Sequence, residues 1–314
     1  MREWVERLKT LLQLNTIFLS MVMEAIPFVL IGVLISGLIQ IFLTERWIAR
    51  VMPRNRFLSS LFGCGVGVLF PSCECGIVPI TGRLLNKGVP LNAGIAFMLT
   101  GPVINPIVLF STYIAFGNDW KMVGIRAGMA IAVAFLVSIV ISFLYPQLPF
   151  RSGEHVQQAA AASELKTLPT AEPRPRKPLM RQLYGVLSHS IEEFFSVGKF
   201  LVLGAFIAAC MQTYIPTSSL LHLGGNPVTA SLVMIGLAFV LSLCSEADAF
   251  IASSFRSTFQ VGALSAFLVY GPMIDIKNTL MLLGTFKGKF VAVLIALVTL
   301  LTLVGSLIVG RLFG

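Results

Sequence analysis

The chain has 314 residues, of which 56% are hydrophobic and only 12% charged, about half the charge of an ordinary soluble domain. Its formal charge of +9 sits mostly at the ends of apolar stretches and in one linker, a pattern of topology control and lipid headgroup contact that excludes nucleic-acid binding. Several stretches reach the roughly 20 apolar residues a helix needs to cross a bilayer, and the alternating segments of a β-barrel are absent. The composition therefore predicts an all-α polytopic membrane protein.

Met1–Asn15 carries Glu3, Glu6 and Gln13 and lacks a small-residue cleavage site, so it does not read as a signal peptide. Trp4, Leu8, Leu11, Leu12 and Asn15 mark one helical face, which predicts a short interfacial helix ahead of the first span. That span is expected over Thr16–Leu43, with Glu24 near the interface, and is followed by a basic loop containing Arg46, Arg50, Arg54 and Arg56. The second segment, Phe57–Leu85, is interrupted by Pro71, Gly76 and Pro79. The third, Pro90–Phe116, is interrupted by Gly101, Pro102 and Pro106, and the fourth covers Met122–Tyr145. Residues 146–181 then turn Pro-rich and hydrophilic and read as a mobile linker. Four more segments follow: Val186–Ile215, with Glu193 early in it, Val228–Phe255, Gly262–Phe286 and Lys289–Leu312. The expectation is about eight membrane segments in two homologous halves, 1–145 and 182–314, with broken or re-entrant helices.

An internal repeat supports the halves. Ala93, Ala96, Phe97, Gly101, Pro102 and Ile104 recur at a constant offset of 170 as Ala263, Ala266, Phe267, Gly271, Pro272 and Ile274. If all segments cross, the halves are parallel. If the Cys-Glu-Cys segment is a re-entrant hairpin, each half crosses three times and the halves are inverted. Counting Lys and Arg on either side leaves both arrangements open.

The chemistry sits at the interruptions. Glu74, Glu246, Asp248 and Asp275 each cost roughly 2.5–3.5 kcal/mol at mid-membrane. They are therefore expected in an interior cavity, paired, or protonated, with Lys277 as the nearest cation in sequence. Cys73 and Cys75 would diverge on a regular helix, but Pro71 and Gly76 bracket them, and an unwound turn would let both thiols face one cavity. Two thiols and a carboxylate suit soft cations or trivalent metalloids, which makes Cys73 and Cys75 a tentative metal site. Cys64 and Cys210 read as packing residues, and Cys244 is open to either role. The five cysteines do not read as a disulfide framework. Asn105 and Asp275 occupy equivalent repeat positions after each Gly-Pro, followed in the second half by Lys277 and Asn278. Ser245 completes the acidic element Leu243-Cys-Ser-Glu-Ala-Asp248. His155, His189 and His222 have no metal-ligand spacing, no phosphate-binding loop is present, and no cofactor is indicated. The residues predict a secondary permease with a small solute or ion as substrate. Two rivals remain: a membrane thiol oxidoreductase built on Cys73, Cys75 and Cys244, and a subunit that anchors a partner.

The motifs Pro-Ser-Cys-Glu-Cys-Gly-Ile-Val-Pro (71–79), Lys-Gly-Val-Pro (87–90), Phe-Met-Leu-Thr-Gly-Pro-Val-Ile-Asn-Pro (97–106), Leu-Cys-Ser-Glu-Ala-Asp-Ala-Phe (243–250) and Gly-Pro-Met-Ile-Asp-Ile-Lys-Asn (271–278) resemble the ArsP/YraQ-type predicted permease family. The resemblance implies a permease of the bacterial cytoplasmic (inner) membrane with about eight segments. One branch of the family exports trivalent organoarsenicals with the help of cysteines, and many members have no assigned substrate. Some members are encoded beside a second small membrane protein, which implies a second membrane subunit as partner.

Overall fold

The computed structural model describes residues 2–42, 51–53, 55–70, 73–150, 179–214 and 226–313. The described residues form α1 (Arg2–Phe42), α2 (Arg56–Leu69), α3 (Glu74–Asn86), α4 (Leu91–Ile104), α5 (Pro106–Ala115) and α6 (Trp120–Leu144). They continue with α7 (Leu179–Tyr214), α8 (Pro227–Leu241), α9 (Ser245–Ser254), α10 (Val261–Met273), α11 (Ile276–Thr285) and α12 (Gly288–Phe313). No strand is present among them. An isolated bridge between Phe150 and Phe286 is the one β-type pairing.

Among the described residues, six candidate spans are long and apolar enough to cross a membrane: Leu8–Leu38, Leu91–Ala115, Trp120–Leu144, Phe194–Tyr214, Val261–Thr285 and Gly288–Phe313. Two of the eight expected segments are not among these spans. α2 has 14 residues and α8 has 15, or about 21–23 Å of helix, short of the roughly 30 Å hydrocarbon core. The spans differ in depth within the protein. In one apolar 18-residue stretch of Leu91–Ala115 and of Val261–Thr285, 78% and 83% of the residues are buried, against 28–39% in the other four. These two, each a pair of half-helices (α4–α5 and α10–α11), pack against each other as the axis of the molecule. The remaining spans present apolar side chains such as Leu136, Phe206 and Leu300 outward.

The helix boundaries recur along the chain. α4 and α10 begin 170 residues apart, as do α5 and α11. α3 packs on α11, and α9 packs on α5. Each contact becomes the other when the corresponding helices of the two parts are exchanged.

Several local expectations change. The short N-terminal interfacial helix and the first span are one continuous helix, α1, because nothing between Arg2 and Pro27 breaks it. Pro146–Phe150, assigned to the linker, are tied down: Phe150 stacks on Phe286 with ring centroids 5.5 Å apart, and the Lys287 N–H donates to the Pro149 carbonyl at 2.9 Å. α7 starts at Leu179, also inside the expected linker. The rest of the linker, Arg46, Arg50, Arg54 and Pro71 lie outside the described residues. Gly76, Pro79, Gly101, Pro102, Gly271 and Pro272 sit inside helices rather than at breaks. The interruptions fall at Phe70–Cys73, Asn105, Ser242–Cys244 and Ile274–Asp275. A proline near a helix end removes one hydrogen bond, and the chain stops where a capping side chain starts the next helix. Asn105 does this for α5, accepting from the Val108 N–H at 2.9 Å with Pro106 in the first turn.

Close helix contact depends on glycine. A Cβ on Gly32 would stand 2.7 Å from Gly76 Cα and 2.8 Å from Gly76 O, so α1 rests on α3 backbone to backbone. Gly32→Val is expected to destabilise the protein by about 1–3 kcal/mol. Gly65→Ala, where an added Cβ meets nothing within 4 Å, is expected not to. Thermal unfolding midpoints in detergent compare the two.

Candidate ion and substrate site

Two half-helices begin inside the bundle. α3 starts after Cys73 and α9 after Cys244, and neither capping cysteine makes a side-chain cap hydrogen bond. Each first turn carries acid: Glu74 on α3, and Glu246 and Asp248 on α9. The two starts meet, with the Ser245 hydroxyl donating to Glu74 Oε2 at 3.5 Å.

Lys277, in the first turn of α11, lies between two of the acids. Its Nζ is 3.8 Å from Glu74 Oε1 and 3.7 Å from Asp275 Oδ2. All three side chains are almost fully buried. Charges at this depth persist only when paired and hydrogen-bonded, and Asp275 meets that requirement. Its Oδ1 accepts from the Asn278 N–H at 2.5 Å as the cap of α11, and its Oδ2 accepts from the Ser242 hydroxyl at 2.6 Å. Ser242 is held in the left-handed region, φ 47 and ψ 45, which a non-glycine residue rarely adopts. That turn lets α8 end while its hydroxyl points at Asp275. The Asn278 amide donates to the Met273 carbonyl at 2.8 Å and closes the open end of α10. The Gln212 amide on α7 likewise donates to the Leu241 carbonyl at the end of α8.

The expected site residues are thus largely brought together. Glu74, Ser245, Asp275, Lys277 and Asn278 form one network. Asp248 is buried and Glu246 half-buried one turn along from Ser245. Asn105 is buried but stands outside the network. It caps α5 as Asp275 caps α11, and its amide turns back to the Gly101 carbonyl at 3.5 Å. Cys73 and Cys75 lie within hydrogen-bonding reach of each other, Cys73 half-buried and Cys75 buried. Cys244 is half-buried at the start of α9. All five cysteines are free thiols. Among the described residues no three His, Cys, Asp or Glu side chains are grouped to hold a metal ion, so the thiol pair stands as two donors. Glu24 lies near the middle of the span Leu8–Leu38, exposed, and approaches the Cys244 thiol.

Three residues of the network escaped the sequence reading. Ser242 and Thr112 carry no signal beyond being small polar residues. Arg126 does carry one: an arginine inside the 25-residue apolar span Trp120–Leu144. It is completely buried and donates to the Thr112 hydroxyl at 2.7 Å and the Ser245 carbonyl at 3.1 Å.

A broken-helix core with paired charges at its breaks is the construction used by membrane transporters. The model of a family described as predicted permease matches residues 10–311, and the chain belongs to this family as a multi-pass membrane protein. It is 57% identical to UPF0718 protein YcgR of Bacillus subtilis (strain 168), over 95% of this chain and 97% of that one. It is 44% identical to a putative two-component membrane permease complex subunit of Streptococcus mutans, over 96% of both chains. UPF0718 protein YraQ of Escherichia coli (strain K12) is 24% identical over 35% of this chain and 32% of that one. No solved structure matches.

Lys277→Gln leaves Glu74 and Asp275 as unpaired buried acids, and a broken buried pair costs about 3–5 kcal/mol. A large fall in the thermal unfolding midpoint is expected. The double variant Lys277→Gln with Asp275→Asn is expected to recover part of it.

Proposed function

We propose that this permease is a secondary transporter whose substrate and coupling ion meet at the converging starts of α3 and α9. The observation that carries the reading is the four-acid, two-cation cluster at the helix breaks: Glu74, Glu246, Asp248 and Asp275 with Lys277 and Arg126. With every group ionised the cluster holds two more negative than positive charges. Bound protons or a cation would balance it, so occupancy and charge would be linked. Cys73 and Cys75, with Cys244 across from them, would favour a thiophilic metal, metalloid or organoarsenical as the exported substrate.

The reading includes an architecture. Each half, 1–145 and 182–314, would cross three times, with α2–α3 and α8–α9 as re-entrant hairpins and the halves inverted. Six candidate spans and the exchange-related contacts of α3 with α11 and α9 with α5 support it. Access would alternate by movement of one half against the other around the axis helices. The name of the Streptococcus mutans relative supports a second membrane subunit as partner.

Transport or resistance in a deletion strain, screened against soft metals, arsenicals and other solutes, tests the reading. Glu246→Gln and Asp248→Asn are each expected to reduce transport by tenfold or more. Intact transport in both would remove the acids from the mechanism. Cys73→Ser with Cys75→Ser is expected to change which solutes are carried. Loss of a reversible disulfide as the only consequence would instead favour the thiol oxidoreductase. Transport in liposomes only when the second subunit is added would make this chain one part of a two-component permease.

A further inference from the structure

The two acidic half-helices are not equivalent. On the α3 side, Lys277 is within 4 Å of both Glu74 and Asp275, and Asp275 has hydrogen-bond partners on both oxygens. On the α9 side, the position matching Lys277 is Ile107, which is 57% exposed and carries no charge. The cation there comes from α6 as Arg126. It donates to Thr112 of α5 and to the Ser245 carbonyl, and Ser245 and Asp248 are three residues apart on one face of α9. Among the described residues, Arg126 Nε and Asp248 Oδ2 have no hydrogen-bond partner, although both are buried. Arg126 and Asp248 are close enough to act on each other electrostatically, with Glu246 also acting on Arg126. The open oxygen itself lies against α10, since a Cβ on Gly271 would lie 2.9 Å from Oδ2.

A buried donor and a buried acceptor of opposite charge, each left open, cost free energy for as long as both stay charged. Such a pair has two acceptable states. In one, Asp248 is ionised and faces the guanidinium. In the other, Asp248 carries a proton on Oδ2 and Arg126 holds only Thr112 and Ser245.

We propose that Asp248 is the acid that takes up and releases the coupling proton, and that Arg126 is the positioning residue that sets when it does so. The proton binds Oδ2 from water on one face and leaves to water on the other, so no other group is consumed. The charged groups around Asp248 are Arg126 of α6, Glu74 of α3, Lys277 of α11 and Asp275 before it, with Glu246 on its own helix. Glu74 and Asp275 share Lys277, which leaves Asp248 to Arg126. The assignment rests on the transporter reading above and selects one acid from its four.

The test is infrared difference spectroscopy of the purified full-length protein in lipid nanodiscs between acid and alkaline pH. A carboxylic-acid C=O band that appears on acidification is expected, and Asp248→Asn removes it. Arg126→Gln shifts the pH at which the band appears by one unit or more, the size expected for losing a nearby opposite charge. Arg126→Lys shifts it less. If Arg126→Gln does not fold, Arg126→Lys and Thr112→Val, which removes one anchor of the guanidinium, carry the test, and at least one must move the band. A band that survives Asp248→Asn overturns the proposal. So does a band lost in Asp248→Asn but unmoved by every folded Arg126 and Thr112 variant, because Arg126 is then structural only. The measurement needs no substrate. The expected spectra without transport contradict the transporter reading alone, and transport with unmoved spectra contradicts this assignment alone.

Discussion

The pairing of Lys277 with Glu74 and Asp275 is the interaction on which the rest of the structure depends. An ammonium and two carboxylates this deep in a membrane protein are tolerated only in contact with one another. Their contact dictates which elements must meet. Glu74 requires α3 to begin beside α11, Asp275 requires α10 to end there, and Ser242 requires α8 to turn off where its hydroxyl reaches Asp275. The breaks in the helices are therefore conditions for the site. An unbroken helix has no free first turn and no capping position in which to hold an acid at that depth.

Burial follows from the same constraint. The two interrupted spans, which hold Asn105, Asp275, Lys277 and Asn278, are the most enclosed, while the four continuous spans are largely apolar, with Arg126 a buried exception, and surround them. A span that keeps polar side chains and opened backbone must be covered by protein, because lipid cannot satisfy them. Glycines such as Gly32 let the outer helices close on the short inner ones without a gap. The pseudo-symmetry is then broken by charge, with a lysine in direct contact on one side and an arginine from a neighbouring helix on the other.

Much of this was legible in the sequence, and the misses have physical causes. The offset of 170 between Gly101-Pro102 and Gly271-Pro272 falls in the two most enclosed spans, though their enclosure was not read from it, and the cost of burying acid marked Glu74, Asp248 and Asp275 as interior residues. Prolines located the breaks only to within a few residues, because a helix can end with a proline in its last turn and the cap decides the stop, as at Asn105. The segments holding α2 and α8 could be read as crossing or as re-entrant, because apolar composition does not show that these helices have only 14 and 15 residues. Asn105 and Asp275 were paired by their equivalent repeat positions. Both are caps, but Asp275 alone has a second oxygen left to meet Lys277. Arg126 was the miss with the clearest signal, since an arginine within a strongly apolar span needs partners as much as an acid does.

The central claim is that the starts of α3 and α9, 171 residues apart in the chain, lie side by side in the membrane. The most direct measurement places cysteines at Glu74 and Ser245 in a variant lacking the five native cysteines, with a protease site in the 151–178 segment. A short bifunctional thiol reagent is applied before cleavage. The structure predicts that the two halves stay covalently joined after cleavage and separate when either cysteine is omitted. Clean separation of the halves with both cysteines present and labelled would contradict the account.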